Sequence, residues 1–368
     1  MPAVISRRRV REFQMAFAGE INSLAALYRD AAAEMIEVLS QAATTPFTQQ
    51  WAIAHLRQYQ IILANLHDEA AAWMVFHIPQ AYDMGIEFAD EGIRNLRRAG
   101  INLRRQGRRI APLRQRDVFA VVHREAAQAI MDSMLTTMDA ALAPIGRRVN
   151  DVFRREGVRA VARGIAAGRP RVEVSREIGE RLLEAGRPTF VDKLGRQWPL
   201  DRYAEMVART TTREAMTQGT INRLREHGLQ LAQVSAHNAD DFCRYYENAI
   251  VSIGERSHPI YPPVSAINGG PPFHPRCVHS LTPFVERLAT EDERKRGIIA
   301  PDLLNRSPAD LQRRFRKEFP AGARGAAKRA QPAGKRAPKP QGGAQRGKAR
   351  FRTPDAYGTM MPTAAGRE

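Results

Sequence analysis

The stretch LDRYAEMVARTTTREAMTQGTINRLREHGLQLAQVSAH, residues 200–237, decides the fold. Residues 200–228 predict one long helix that ends at Gly228, because glycine readily takes the backbone conformation that closes a helix. The residues that follow, LQLAQVSAH, have the β-rich composition of a strand. A long helix followed directly by a strand predicts an α+β fold for this part of the chain.

Short predicted elements surround this helix and strand. Upstream, RVEVSREIGERLLEAG predicts a helix that Gly186 closes, and PTFVDKLGRQWPL predicts a hairpin that turns at Leu194 and Gly195. Downstream, two stretches have strand composition: AIVSI (249–253) and SLTPFV (280–285). The sequence therefore predicts an α+β module over residues 171–290, with a helical extension over 291–318.

The first 170 residues predict a separate, mostly helical domain. Apolar residues at spacings of three and four indicate one buried helix face. They are Phe17, Ile21, Leu24, Tyr28, Ala32, Met35 and Leu39. A second helix is predicted near 47–77 and is expected to end at Pro79, because proline removes a helical hydrogen bond. Further helices are predicted near 81–106, 115–142 and 147–167.

The charge of the chain favours an anionic partner. Its 368 residues carry a formal net charge of +18, and residues 94–116 hold nine arginines and no acid. Such a run repels itself unless something anionic lies against it, so DNA or an acidic protein surface is favoured over a merely solvated helix face. The predicted contacts in this region are Arg97, Arg98, Arg104, Arg105, Arg108 and Arg109.

Residues 319–368 have the composition of a disordered basic tail. The segment is rich in proline, glycine, alanine, lysine and arginine and has almost nothing to bury. A tail of this kind binds double-stranded DNA by neutralising phosphates, without reading the base sequence. Its predicted contacts are Lys328, Arg329, Lys335, Arg336 and Lys339.

Both cysteines of the chain lie near histidines, in SAHNADDFCRYYENAIVSI (235–253) and PPFHPRCVHSL (271–281). If the predicted strands bring the two segments together, five soft side chains converge: His237, Cys243, His274, Cys277 and His279. Three interpretations stay open. The first is a structural metal site, for which zinc is the fitting ion. The second is a disulfide between the two cysteines. The third is a pair of buried thiols with hydrogen-bonded histidines.

Catalytic motifs are absent from the sequence. It contains no GxSxG, HExxH, phosphate-binding loop or dinucleotide fingerprint. A thiol nucleophile would need Cys277 beside a base such as His274 or His279, but Pro275 stiffens this loop and no orienting acid is adjacent in sequence. We therefore expect no catalytic residue. A His/Cys metal-dependent nuclease or a thiol hydrolase is the alternative.

Two cysteines are too few for a disulfide framework, and they indicate a reducing compartment. No run of 18 apolar residues is present, so neither a transmembrane helix nor a membrane partner is expected. The basic start MPAVISRRRVREF lacks the apolar stretch of a signal peptide. The protein is thus expected to be made in a cytoplasm, and used there or packaged from it.

The order of several short motifs between residues 175 and 287 resembles tailed-phage minor capsid proteins. The group it is most similar to is phage minor capsid protein 2, and it is more distantly similar to Mu-type and SPP1-type head-morphogenesis proteins. The first motif spans the start of the long helix and contains Trp198, Tyr203, Arg209 and Thr210. A strand that ends at Ser235 and His237 follows, and then a turn with Asp240 and Cys243. The last motif contains His274, Pro275, Cys277, His279, Leu281 and Pro283.

This resemblance implies a structural minor head protein that assembles with the portal inside the procapsid, in few copies, and contacts packaged DNA. It implies a place in the phage head interior or at the portal vertex, with assembly in the host cytoplasm. Mu-type relatives often carry further cysteines where this chain has Tyr246 and His279. A four-cysteine metal site is therefore excluded, while a mixed histidine and cysteine site stays open.

Overall fold

The computed structural model of the chain describes residues 5–44, 49–101, 112–153, 167, 169–192, 195–254 and 258–320. The helices in this part are α1 (Arg7–Met15), α2 (Ala18–Thr44), α3 (Gln49–Arg98), α4 (Pro112–Asp151), α5 (Arg171–Ala185), α6 (Leu200–Glu226), α7 (Glu291–Arg296) and α8 (Pro308–Glu318). The strands are β1 (Thr189–Val191), β2 (Gln197–Pro199), β3 (Leu231–Val234), β4 (Ile250–Ser252) and β5 (Leu281–Phe284). The predicted fold class is confirmed: a mostly helical region precedes a small α+β module.

Helices α3 and α4 are longer than the sequence predicts, because their prolines do not end them. Pro79 lies inside α3 and Pro144 lies inside α4, so the predicted helix end at Pro79 is wrong. A proline deprives the carbonyl four residues earlier of its helical hydrogen bond. Those carbonyls belong to Val75 and Ala140, which are both exposed, so water can satisfy them.

The centre of the helical region is the packing of α3 against α6. The two helices run parallel, because their C-terminal ends lie together, where Arg97 Nη2 is 3.3 Å from His227 Nδ1. Earlier along the pair, Asn222 donates to the Tyr82 hydroxyl at 2.8 Å, and Arg223 binds Asp90 through two hydrogen bonds of 2.7 and 3.1 Å. A Cβ on Gly219 would collide with the carbonyl oxygen of Tyr82, and a Cβ on Gly85 would collide with that of Met216. Glycine therefore allows the two backbones to approach here.

Helices α3 and α6 end in the same way, each at a glycine with a left-handed backbone. Gly100 has φ +78° and Gly228 has φ +76°. The N–H of the next residue, Ile101 or Leu229, donates at 3.0 Å to the carbonyl five residues earlier, and both of these side chains are buried. This is the closure predicted at Gly228, in which the glycine and a buried apolar residue stop the helix together.

The predicted hairpin and the three further strands are confirmed. Strands β1 and β2 pair antiparallel around a turn that includes Gly195, whose φ is +76°. The second sheet has the order β4-β3-β5, with both pairs antiparallel. Strand β3, the central strand, directly follows α6 along the chain. The loops that enter and leave this sheet position the candidate site.

The chain up to Pro320 forms one compact unit. It has a buried cluster among the helices and another around the three-stranded sheet, and both α3 and α6 contribute to each. Along α3, buried residues up to Phe88 belong to the helical cluster, and those from Ala89 onward belong to the cluster around the sheet. The predicted domain boundaries at residues 170, 290 and 318 stay predictions.

No helix in the described ranges is long and apolar enough to cross a membrane.

Candidate functional site

Three loops beside the second sheet carry the cysteines and histidines that the sequence singles out. His237 follows β3, and Cys243 lies in the short 3-10 helix Phe242–Tyr246. His274, Cys277 and His279 lie in the loop that leads into β5. Because β4 and β5 flank β3, the antiparallel pairing brings these loops together at one end of the sheet.

The two sulfur atoms and one imidazole form the first half of the site. A ligand atom from each of Cys243, His274 and Cys277 lies within 4.8 Å of the other two. Both cysteines are free thiols, and both are buried, with residue exposures of 0% and 2%. The Asp241 carboxylate accepts a hydrogen bond from the backbone N–H of Cys243 at 2.9 Å, which fixes the turn that presents this sulfur.

A chain of polar contacts forms the second half. The Cys277 sulfur lies 3.4 Å from Nδ1 of His279, and Nε2 of His279 lies 3.4 Å from Oε1 of Glu247. The His237 ring lies 4.2 Å from the His279 ring, and its Nδ1 is 3.9 Å from the same Glu247 oxygen. His279 and Cys277 therefore belong to one connected cluster with Glu247 at its far end.

The charges of this cluster support one another. The hydrogen bond with the Cys243 thiol, together with His279, lowers the pKa of the Cys277 thiol well below its usual range. The same bond and burial raise the pKa of the Cys243 thiol, so the pair favours a thiol at Cys243 and a thiolate at Cys277. Burial opposes a charge on His279, but its bonds to Cys277 and Glu247 outweigh burial and raise its pKa to about 9.

His274 is held on both sides of its ring. Its Nδ1 lies 2.6 Å from the carbonyl oxygen of Pro275, and its Nε2 lies 3.0 Å from Asp241. Burial opposes charge on Asp241, yet the hydrogen bond to His274 and the backbone bond to Cys243 lower the pKa of Asp241 to about 2. The ring is thus oriented before any further ligand binds it.

Two residues of this site were missed by the sequence reasoning. Glu247 accepts hydrogen bonds from the backbone N–H groups of His237 and Ala239 at 3.0 and 2.9 Å, so it fixes the loop after β3 as well as His279. Its position just before a predicted strand was the available signal. Arg213, buried on α6, donates to the backbone of Gln14 and acts electrostatically on Cys277. No sequence motif indicates Arg213.

The remaining residues of the resemblance lie outside this cluster or at its rim. The indole N–H of Trp198 donates to Asp192 at 3.1 Å and closes the β1–β2 hairpin, whereas the Tyr203 ring on α6 lies 4.1 Å from Phe190 and packs the hairpin against that helix. Arg209 donates to Glu205 at 3.0 Å, and the Thr210 hydroxyl donates to the backbone of its own helix. Pro275 is exposed in the cysteine-bearing loop. These contacts are structural.

The basic contacts predicted from charge are only partly described. Arg97 and Arg98 are exposed in the last turn of α3, and Arg97 Nη2 lies 3.3 Å from His227 Nδ1. The other predicted contacts fall outside the described residues. These are Arg104, Arg105, Arg108, Arg109, Lys328, Arg329, Lys335, Arg336 and Lys339.

The chain matches one protein family along most of its length. The family model described as Phage minor capsid protein 2 matches residues 15–315 of the 368. The chain therefore belongs to this family of phage minor capsid proteins, as the motif order between residues 175 and 287 predicted. Among curated proteins and solved structures, none matches it.

Membership makes the chain a structural protein of the phage head, with a place in the virion and contact with other head components. The match also covers the N-terminal helices, to which the sequence motifs assigned no family. An amphipathic helix requires apolar residues at a given spacing but few particular side chains, so this region offers no readable motif.

Proposed function

We propose that the protein stands at the portal vertex inside the phage head, acts in head morphogenesis, and contacts packaged DNA. The observation that carries this proposal is the family match over residues 15–315, which makes the chain a minor head protein. Assembly in the host cytoplasm and a low copy number follow from the same role. Its partners in this proposal are the portal and double-stranded DNA.

The basic residues support the DNA contact. The formal net charge is +18, and the run 94–116 includes the exposed Arg97 and Arg98 at the end of α3. Packaged DNA offers phosphates at high density, and arginine and lysine bind phosphate whatever the base sequence. The DNA contact we propose is therefore non-specific.

The burial of the cysteine cluster supports a role without catalysis. A nucleophile must reach its substrate, but Cys277 is 2% exposed and Cys243 is fully covered. The cluster closes three loops onto one end of the sheet, a place where a small module gains from a structural link. We propose that it serves as a clasp for this module.

The portal contact is tested by mixing the purified chain with the portal of the same phage and separating the mixture by gel filtration. The proposal expects the chain to elute with the portal ring and to elute later when the portal is omitted. Separate elution at both low and moderate salt, with a portal that still accepts its other partners, would contradict a direct contact.

One observation favours a second candidate, a thiol hydrolase. Cys277, His279 and Glu247 line up as a nucleophile, a base and an orienting acid would. Alkylation of the folded protein separates the two functions. A clasp predicts that both cysteines react slowly until the chain is unfolded, whereas a working nucleophile predicts rapid labelling of Cys277 in the folded state. Incubation with duplex DNA and divalent metal ions tests the nuclease form of this alternative.

A further inference from the structure

We propose that the cysteine and histidine cluster binds one zinc ion through Cys243, Cys277, His274 and His279. The proposal concerns the module itself and does not depend on a place at the portal. It goes beyond the clasp role, because hydrogen bonds alone could hold the loops. The ion would be structural, with four protein ligands and no open position for a substrate.

The distances in the cluster approach those of a tetrahedral zinc site. With zinc bonds of about 2.3 Å to sulfur and 2.0 Å to nitrogen, neighbouring ligand atoms in a tetrahedral site lie about 3.3–3.8 Å apart. The Cys277 sulfur and Nδ1 of His279 are 3.4 Å apart, and ligand atoms of Cys243, His274 and Cys277 all lie within 4.8 Å of one another. Contraction by about 1 Å would bring Cys243, His274 and Cys277 to zinc-binding distances. His279 lies beside Cys277 but not within 4.8 Å of all three, so its ring would move inward to become the fourth ligand.

The types of ligand also fit zinc. Two thiolates with two imidazoles are a common set for structural zinc, and soft sulfur ligands disfavour magnesium and calcium. The two sulfurs are close together and buried, yet they are not joined in a disulfide. Burial keeps water from the metal, which is a property of closed sites.

The groups behind the ligands are those that support a bound metal. A histidine that binds a metal through one nitrogen usually donates its other N–H to a carboxylate or a carbonyl. His279 presents Nδ1 to Cys277 while Glu247 lies at its Nε2. For His274, the Pro275 carbonyl and Asp241 hold one nitrogen each. Zinc would replace one of these two contacts, and the other would keep the ring oriented.

A neighbouring group of ligands competes for the ion. His237, Glu247 and His279 also lie within 4.8 Å of one another. This set lacks sulfur, and it shares His279 with the first, so one ion cannot satisfy both sets. The side chain of His237 is 34% exposed, and its loop is already fixed by backbone hydrogen bonds to Glu247. The two thiolates therefore favour the first set.

The experiment measures metal in the full chain purified without chelators, and then replaces it with cobalt. The proposal expects about one zinc ion per chain, and a cobalt form with the near-ultraviolet absorption of thiolate-to-cobalt charge transfer. Removing the metal with a chelator should lower Tm by at least about 5 °C, because the ion binds the folded state alone. Cys243→Ser and Cys277→Ser should each lose at least about half of the charge-transfer intensity, since one of two thiolate ligands is removed, and the double variant should lose the band.

His67→Gln is the matched control, since His67 lies on α3, pairs with Asp139 at 2.8 Å, and is remote in sequence from the cluster. It should keep both zinc and the band. The metal content of the wild-type chain tests the proposal even if the cysteine variants do not fold. Metal below about one-tenth of an ion per chain, with no uptake of cobalt, would overturn the proposal. Cobalt bound without the thiolate band would also overturn it, and would assign the ion to the His237 group.

Discussion

The Cys277 sulfur and the His279 imidazole lie 3.4 Å apart, although both side chains are almost completely removed from water. The Cys243 thiol and His279 lower the pKa of the Cys277 thiol, and against burial Cys277 and Glu247 raise the pKa of His279. In the metal-free chain these shifts favour a thiolate beside an imidazolium, with Glu247 at the far side of the ring. Neither charge is stable alone in this place, because an unpaired buried charge is costly. Through Glu247, the pair therefore couples the loop before β5 to the turn before β4.

Replacing His279 by glutamine tests the structural role of this pair. We expect His279→Gln to lower the free energy of unfolding by about 3 kcal/mol, since Cys277 loses its charged partner. Fewer molecules should then enter heads. Urea unfolding measures the first effect and quantitative blotting of purified heads measures the second. His67→Gln, at a half-exposed surface pair, should change neither.

Molecules of His279→Gln that fold and enter heads should support normal infectious particles. The cluster would instead be catalytic if the variant folds and enters heads normally but the particles are non-infectious because a measurable hydrolytic or nuclease activity is lost. Infectivity per incorporated molecule separates the two roles.

The parallel packing of α3 and α6 depends on glycine at position 219. We expect Gly219→Ala to lower the free energy of unfolding by about 2 kcal/mol, because the new methyl group collides with the backbone of Tyr82 and forces the helices apart. Gly19→Ala is the control, since a Cβ at Gly19 meets nothing within 4 Å. Equal effects of the two substitutions in urea unfolding would show that the backbones are not in close contact at residue 219.

Glu226 makes the stability of the helical region depend on pH. The hydrogen bond with His123, together with that from Arg223, outweighs burial and lowers the pKa of Glu226 to about 2. Its ionised form therefore stabilises the fold fully above the usual pKa of a glutamate, and this stabilisation is lost as the pH falls towards the folded value.

We expect Glu226→Gln to lower the free energy of unfolding by about 3 kcal/mol near pH 7, and by less than about half of that near pH 3. Urea unfolding at the two pH values measures the difference. Glu291→Gln, at a side chain 71% exposed, should have almost no effect at either pH. A loss for Glu226→Gln that is independent of pH would refute the electrostatic explanation.

The basic tail predicts a particular dependence of DNA binding on salt. Deletion of residues 320–352 should weaken binding to any duplex sequence and flatten its salt dependence, since each neutralised phosphate contributes about −0.9 to the log–log slope. Filter binding or fluorescence anisotropy over a salt series measures both. Unchanged affinity and slope would remove the tail from the DNA contact, and the arginine run at 94–116 would become the leading candidate.

The sequence predicts the α+β module well because its signals are local. Gly228 closes α6, Gly195 lies in the hairpin turn, and the three strands of the second sheet fall where their composition places them. The helical region is predicted less accurately. Pro79 and Pro144 lie inside helices, and the residues whose carbonyls they leave without a helical partner, Val75 and Ala140, are exposed, which depends on the tertiary packing.

The cysteines and histidines of the site can be predicted from the sequence, but its other charged residues cannot. Cysteine is rare in this chain, so Cys243 and Cys277 stand out with their neighbouring histidines. Glu247 is one of 39 acidic residues and Arg213 one of 57 basic ones, so neither can be selected by residue type. What gives them their roles is burial next to Cys277 and His279, which follows from how α6 and the loops pack.

The most direct test of the central claim is the amount of this protein in procapsids purified from cells that make or lack the portal. A head protein at the portal vertex should be present in few copies in procapsids with a portal, and should be lost from procapsids without one. Absence from procapsids that contain a portal, or equal amounts with and without the portal, would contradict the claim.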